Sequence, residues 1–442
     1  PDTLVSINNI GWVLARQGKY EEAETLYRQA LEIRSKTLGR EHPDTLTSIS
    51  NLASVLQKQG RYDEVEVMWR EALKLREKVL GSEHPDTIAS MNGLGLVLED
   101  QGKYDEAEEM YRRALVIREN VLGSEHPDTL DSVNNLGSVL ESQGRYEEAE
   151  AMYRRAVESS EKVLGAEHPE TLTSIANLGS VLCCRGKYEE AEAIYQRTLR
   201  ITEQALGPEN PRTLDSLSNL GSIFRSQGKY DKAEVVHRRV LEIREKLLGP
   251  ANPRTISSVS NLGSDLLAQG RYDEAETMYR RALEMREKVL GAEHPDTINS
   301  LKNVGSVLES QGRYSEAESA FRRALETQNN VLGPDHPDTL SSMNNLGSVL
   351  QSQGRYEEAE AMYRQALEGS ERLWGADSPK TFVPVNNLGS VLREQGKYGE
   401  AETMFRRALE GFEKSFGTQH PNTLVVTNNL GSILAKQGKY ED

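Results

Sequence analysis

One short motif, Gln/Arg-Gly-Lys/Arg-Tyr, returns along this chain at a fixed interval of 42 residues. A period of this length indicates a solenoid or an array built from one supersecondary unit. The chain begins at Pro1 and ends at Asp442, in each case inside a unit. We therefore expect a single array over residues 1–442, about ten and a half units long, taken from a longer protein. The glycine of the motif stands at Gly18, Gly60, Gly102, Gly144, Gly186, Gly228, Gly270, Gly312, Gly354, Gly396 and Gly438, with no insertion or deletion.

Each unit contains two amphipathic segments. In the fourth unit the first segment covers residues 127–142 and the second covers residues 146–164, each with apolar or small residues at helical spacing. Pro127 suits a first helical turn, and the residue before it is His, Asn or Ser in different units, which suits an N-cap. Gly144 and Gly165 follow the two segments as stop signals. Each unit is therefore predicted to be a helical hairpin.

Small residues recur where the two helices are expected to meet. Gly137 has an equivalent glycine in ten of eleven units, and Ala53 replaces it in the other. Glycine inside a helix costs about 1 kcal/mol relative to alanine, so its repetition indicates a close helix–helix approach. Ala149 and Ala156 on the second helix follow the same logic, with Tyr153 filling the space between them.

Charge and composition exclude several functions. The chain has a net charge of −16 and no basic stripe, which argues against nucleic-acid binding. Most of the charge is predicted to support helices: carboxylates begin the second helix, and Glu150 with Arg154 forms an i,i+4 pair. No apolar stretch is long enough to span a membrane. The only cysteines, Cys183 and Cys184, are adjacent, so there is no disulfide framework, which favours an intracellular, cytoplasmic location.

The spacing of Leu136-Gly137, Leu140, Ala149, Tyr153 and Ala156 resembles the tetratricopeptide repeat. The longer unit, with its "EIREKVLG…EHPDTL" extension, resembles the repeats of kinesin light chain. It is similar also to the repeat arrays of nucleotide-binding STAND-type signalling proteins. This resemblance covers the whole chain. It implies an all-α fold, a right-handed α-solenoid superhelix of helical hairpins, in which the first helices line a concave groove that receives peptides.

Several side chains share one side of the first helix, opposite Val133, Leu136 and Leu140. Asp131, Asn134, Ser138, Glu141 and Ser142 lie at spacings that form a single stripe. By the resemblance this stripe faces the groove. We predict peptide binding by the following stripe residues: Asn92, Asn134, Ser138, Glu141, Arg225, Lys302, Asn344, Ser348, Asn386, Arg393 and Asn428.

The stripe varies from unit to unit more than other expected surface does. Glu141 is replaced by Ala, Gln, Cys, Arg or Leu elsewhere, whereas the Glu148 and Arg154 positions hardly change. The variation favours a recognition face over neutral drift. Trp12 and Leu96 replace the serine of the Ser138 position and would form apolar pockets, although Trp12 lies in the first unit, where a missing upstream neighbour is an equal explanation.

An asparagine stands at the Asn135 position in every unit except the third, which has Gly93. A fixed Asn can bind the backbone of a neighbouring helix or that of a bound peptide. The Asn134 position is expected to point more squarely into the groove. The carboxylate clamp of chaperone-binding relatives is not predicted here, because only Lys302 occupies one of its lysine positions.

The pattern argues against catalysis and against a metal or cofactor. The recurrent His residues fall one per unit, whereas metal ligands must converge on one ion. Two functions follow from the resemblance: a protein- or peptide-binding adaptor like kinesin light chain, or the ligand-sensing array of a STAND-type protein. Two irregularities stand out. Asp265 replaces an apolar residue on a flank expected to be half-buried, and Pro384 should kink or delay its helix.

Overall fold

A computed structural model describes residues 2–16 and 19–438 of the chain, and those residues form pairs of antiparallel α-helices. The two helices of each repeat pack on each other, and the second packs on the first helix of the following repeat, as in α3–α4–α5. The all-α class and the helical hairpin are confirmed. The helices are α1 (Asp2–Arg16), α2 (Tyr20–Thr37), α3 (Pro43–Lys58), α4 (Tyr62–Leu80), α5 (Pro85–Asp100), α6 (Tyr104–Leu122), α7 (Pro127–Ser142), α8 (Tyr146–Leu164), α9 (Pro169–Cys184), α10 (Tyr188–Leu206), α11 (Pro211–Ser226), α12 (Tyr230–Leu248), α13 (Pro253–Ala268), α14 (Tyr272–Leu290), α15 (Pro295–Ser310), α16 (Tyr314–Val331), α17 (Pro337–Ser352), α18 (Tyr356–Trp374), α19 (Phe382–Glu394), α20 (Tyr398–Phe416) and α21 (Pro421–Lys436).

The chain divides into two compact structural units, each containing several of the 42-residue repeats. One contains residues 1–142 and 147–174, and the other contains residues 143–146 and 175–442. Within each unit the same contacts recur from repeat to repeat, including contacts between successive first helices such as α5 with α7 and α11 with α13. These contacts between first helices build the surface on which the predicted stripe lies.

The predicted N-caps are confirmed for His and Asn. His84 Nδ1 accepts a hydrogen bond from the Asp86 backbone N–H at 3.2 Å, and Asn210 Oδ1 accepts one from Arg212 at 3.0 Å. Ser378 does not take this role, because α19 begins three residues later than its counterparts and its N-cap is Thr381. The first helices therefore share one start signal, with α19 as the exception.

Pro384 explains the late start of α19. It is the third residue of that helix, and the first N–H groups of a helix have no acceptor within it, so a missing donor is tolerated there. We expect Pro384→Ser to change the free energy of unfolding by less than about 1 kcal/mol, because no hydrogen bond depends on this position. Urea denaturation of the two proteins checks this, and a loss several times larger would show that the proline has another role.

The predicted close approach at glycine is confirmed. A Cβ built on Gly137 would lie 2.6 Å from Cε1 of Tyr153, whose side chain is buried with Ala149 and Ala156. The same geometry explains the break in the Asn135 series. A Cβ on Gly93 would lie 2.5 Å from Cε2 of the buried Trp69, so the larger ring of the preceding repeat excludes any side chain at that position.

Candidate functional site

The Asn134 position is less open than the sequence suggested. Asn134 is only 8% exposed, and its Nδ2 donates a hydrogen bond to Ser174 Oγ at 2.8 Å. This corrects the expectation that it points squarely into the groove. Asn92, Asn344 and Asn386 are half-buried, and Asn428 is exposed. Packing between successive first helices covers these amides wherever a further repeat follows.

The Asn135 series connects neighbouring helices. Asn387 Nδ2 donates to Asn344 Oδ1 at 3.3 Å, and Asn429 Nδ2 donates to Asn386 Oδ1 at 3.0 Å. Asn261 makes the equivalent contact with the side chain at position 218, a serine, at 3.2 Å. In these repeats each asparagine holds the side chain at the Asn134 position of the preceding repeat. The contact is therefore with a neighbouring helix, as one alternative predicted, but with a side chain and not with its backbone.

Ser138 links two repeats through a glutamate. Its Oγ donates to Glu99 Oε1 at 2.7 Å, and Ser142 Oγ donates to the same oxygen at 3.0 Å. Burial raises the pKa of Glu99. The same arrangement recurs where Ser348 Oγ donates to Glu309 Oε1 at 2.7 Å, and burial raises the pKa of Glu309 as well. Part of the predicted stripe is thus occupied by contacts between first helices.

Glu141 lies beside the aromatic core. Its side chain is half-buried, and Tyr153 Oη donates to its Oε2 at 3.2 Å. Burial and the nearby carboxylate raise the pKa of Tyr153, so its hydroxyl remains a donor at neutral pH. Glu141 therefore connects the stripe to the core of its own hairpin.

The basic stripe residues have different surroundings. Lys302 is half-buried, its Nζ donates to Ser341 Oγ at 3.3 Å, and burial lowers its pKa. Arg393 forms an ion pair with its neighbour Glu394 at 3.0 Å. Both side chains lie on the first-helix surface. Lys302 is half-buried there, and the charge of Arg393 is paired with that of Glu394.

Arg225 belongs to a buried network that the sequence did not explain. Its Nη1 lies 3.0 Å from Oδ1 of Asp265, a residue with no exposed surface, and His237 Nδ1 lies 2.5 Å from Oδ2 of the same carboxylate. His237 Nε2 faces the Ser218 carbonyl oxygen at 3.0 Å. The Asp265 flank is therefore fully buried, which corrects the prediction, and both oxygens of the carboxylate have a partner, Arg225 at Oδ1 and His237 at Oδ2.

The sequence analysis did not identify a set of buried or half-buried arginines. Arg76 Nη1 donates to the Asp86 carbonyl oxygen at 3.2 Å and to Ser90 Oγ at 2.6 Å, in the first helix of the following repeat. Burial lowers the pKa of Arg76. The available signal was a constant spacing, an arginine 14 residues before a serine. Equivalent arginines stand at Arg34, Arg118, Arg244 and Arg286.

Charged residues of the second helices pair within and between repeats. The predicted pair of Glu150 with Arg154 is confirmed at 2.6 Å. Arg155 also reaches Glu119 of the preceding repeat at 2.6 Å, and Arg313 reaches Glu276 at 2.7 Å. Each exposed pair contributes little, about 0–1 kcal/mol, but the pairs recur. These contacts give a physical reason for the constancy of the second-helix charges.

Metal-ligand clusters and membrane-spanning helices were also considered for residues 2–16 and 19–438. No group of three His, Cys, Asp or Glu side chains there could hold a metal ion. None of the helices in this part of the chain is long and apolar enough to cross a membrane. Cys183 and Cys184 are half-buried, and Trp12 and Leu96 expose about half of their surface.

Comparison with solved structures gives repeat proteins. Two structures of nearly identical tetratricopeptide-like repeats of a putative kinesin light chain from Podosopora anserina are 28% and 29% identical to this chain. They cover 46% and 47% of it and 97% and 98% of their own chains, each with a TM-score of 0.42. A Rap protein solved in complex with competence and sporulation factor is 15% identical and covers 84% of this chain and 99% of its own. Its TM-score of 0.55 shows a shared fold.

No curated protein matches the chain. The model of the tetratricopeptide repeat, by contrast, matches most of it, at residues 2–66, 44–120, 86–162, 128–201, 172–246, 254–330, 311–372 and 381–442. Those matches coincide with the helical hairpins and with the glycine–tyrosine contacts inside them. The chain therefore belongs to the tetratricopeptide repeat family.

Proposed function

We propose that this chain is a non-catalytic scaffold that binds a protein or peptide segment in a concave groove lined by its first helices. The observation that carries the proposal is the contrast between the two helices of each repeat. Second-helix charges hardly change and are engaged in pairs. A single first-helix position, by contrast, holds Glu141, Arg225 or Leu267 in different repeats and so differs in size and charge. A constant framework with a variable face is suited to recognition.

The constancy of the framework needs no ligand to explain it. Pairs such as Arg155 with Glu119 hold one repeat to the next, and they recur as Arg113 with Glu77 and Arg281 with Glu245, so stacking alone gives a reason to keep them. At the Glu141 position the partner changes with the side chain: Glu99 and Glu141 accept a hydrogen bond from a tyrosine of their own hairpin, whereas Arg225 pairs with Asp265. The Rap protein with the same fold was solved with competence and sporulation factor bound, and we extend that kind of use, binding of a protein or peptide partner, to this chain. Its role as an adaptor or as the sensing array of a STAND-type protein remains a prediction.

Exposed stripe residues provide a test that leaves the contacts between repeats intact. Ser54, Leu96 and Ser310 are exposed on first helices. We expect their combined replacement by glutamate to weaken binding of peptides selected from a proteome-derived library by about tenfold or more, because charge is added to a face that must be desolvated. Fluorescence polarisation with the selected peptides measures the change.

The matched control places the same charges on second helices. Val67, Val116 and Val235 are exposed there, and their replacement by glutamate should leave binding unchanged. Equal affinity of the stripe variant and the unmodified chain would refute the groove. Loss of binding in the control variant alone would place recognition on the second helices.

A further inference from the structure

At one stripe position an aspartate pairs with a buried arginine of the second helix. Asp215 on α11 has two cationic partners: Arg244 Nη2 lies 2.5 Å from its Oδ1, and Arg254 Nη1 lies 3.5 Å from its Oδ2. Arg244 is 5% exposed and Asp215 is 44% exposed. The guanidinium therefore extends from the interior to the edge of the first-helix surface.

Two repeats earlier the same aspartate has neither partner. Asp131 on α7 is the equivalent of Asp215, and the two arginines are replaced by Ser160 and Glu170. Ser160 is buried, and its Oγ donates to the Val157 carbonyl oxygen within its own helix. Both cations are thus absent at Asp131, and a second carboxylate takes the place of one of them.

The neighbouring Asn134 has a buried oxygen without a hydrogen-bond donor. In the second repeat, Arg76, the equivalent of Ser160, donates through Nη2 to Ser50 Oγ at 3.2 Å. Ser50 corresponds to Asn134, whose Oδ1 is buried without a hydrogen-bond partner. Asn134 turns its Nδ2 to Ser174 instead, at the oxygen that would receive the arginine. A buried acceptor without a donor costs free energy. Asn8 and Asn92 leave the same oxygen unpaired in repeats that keep their arginine, so this acceptor belongs to the asparagine position in general.

The electrostatics agree with the geometry. Partial desolvation, together with the charge of Glu170, raises the pKa of Asp131 to about 6, although the side chain keeps an exposed edge. Asp128 adds to the rise, and Arg118 opposes it. Arg118 is itself engaged, since its Nη1 donates to the Asp128 carbonyl oxygen and to Ser132 Oγ. Oε2 of Glu170 is also buried without a hydrogen-bond partner. Around Asp131, hydrogen-bond acceptors and negative charges therefore outnumber donors and positive charges.

We propose that a lysine or arginine side chain of the bound segment supplies to Asp131 the positive charge that Arg244 and Arg254 supply to Asp215. Its ammonium or guanidinium group pairs with the exposed carboxylate of Asp131. This inference rests on the proposed groove function and adds the chemical class of one ligand side chain, a basic one, at the fourth and fifth repeats.

Short acetylated and amidated peptides provide the probe. Four pools are prepared with random sequence around a central arginine, lysine, norleucine or glutamate, and their affinity for the full chain is measured by fluorescence polarisation. We expect the basic pools to bind about tenfold more tightly than the norleucine pool. The preference should grow between about pH 5 and about pH 7, because Asp131 is neutral below its raised pKa and ionised above it.

Ser160→Arg supplies the missing cation from within the chain. This variant should lose the preference for basic pools and melt at a higher temperature, because it restores the pairing seen at Asp215. The double variant Asp131→Asn with Glu170→Gln should also lose the preference without melting at a lower temperature, since it removes two like charges. Asp215→Asn should keep the preference.

The outcomes separate the two proposals. Equal binding of all pools would refute the basic-residue site and leave the groove intact. A basic preference that survives in both Ser160→Arg and the double variant would place the cation elsewhere and would also refute it. Failure of every pool to bind would overturn the groove proposal together with this one.

Discussion

Replacing Asp265 by alanine is expected to lower the stability of the array by about 1–3 kcal/mol, because it leaves the buried His237 ring and the half-buried Arg225 guanidinium without their shared partner. Asp265 has no exposed surface and contacts both His237 Nδ1 and Arg225 Nη1. Without it, the buried His237 ring loses an acceptor. The midpoint of urea denaturation and amide hydrogen exchange in α13 measure the loss.

A matched rescue comes from the chain itself. Two repeats earlier the same three positions hold Glu141, Tyr153 and Val181, with Tyr153 Oη donating to Glu141. The triple variant Arg225→Glu, His237→Tyr and Asp265→Val should therefore be at least as stable as the unmodified chain. Apolar replacement of a buried ion pair is often neutral or stabilising.

Two results would contradict this account of the network. A loss of less than about 1 kcal/mol in Asp265→Ala would mean that water compensates the remaining groups. A triple variant as unstable as Asp265→Ala would mean that the three residues do not act as a unit. Either result would also argue against the interpretation that Arg225, His237 and Asp265 differ together from their equivalents in other repeats because they contact one another.

The periodicity made much of this fold predictable from the sequence. Hairpins, their glycine stops and the Gly137–Tyr153 contact depend on local spacing, which one repeat shows and the others confirm. The contacts between repeats were harder to foresee. Arg76 reads as a surface residue in its own helix, and only the following first helix, which supplies Ser90 and a carbonyl oxygen, buries it. Asp265 needed partners from another repeat for the same reason.

The candidate site was predictable as a face but not residue by residue. Helical spacing places Asn134 and Ser138 on one side, but it does not show how closely the next first helix covers them. Asn134 is consequently buried, and Ser138 is bound to Glu99, whereas Leu96 remains exposed. The sequence shows Ser160 where several other repeats have an arginine. Only the contacts of Arg76 and Arg244 in the structure show which groups that arginine binds.

The second large effect is expected at the glycines of the first helices. Gly137→Ala should destabilise the array by about 1–3 kcal/mol, because the added Cβ would lie 2.6 Å from the Tyr153 ring in a packed core. Gly431 holds the same position in α21, and none of the described residues lies within 4 Å of a Cβ placed there. In the chain of residues 1–442, Gly431→Ala should therefore stabilise its helix by up to about 1 kcal/mol, through helix propensity alone.

The two alanine substitutions are chemically identical, so the difference between them isolates the contact with the ring. Thermal denaturation and amide hydrogen exchange in α7 and α21 measure it. If both variants were stabilised, the Tyr153 ring would be able to move aside and the close approach would not explain the glycine. If Gly137→Ala combined with Tyr153→Leu recovered the lost stability, the steric origin would be established, because the smaller side chain removes the overlap while keeping the position apolar.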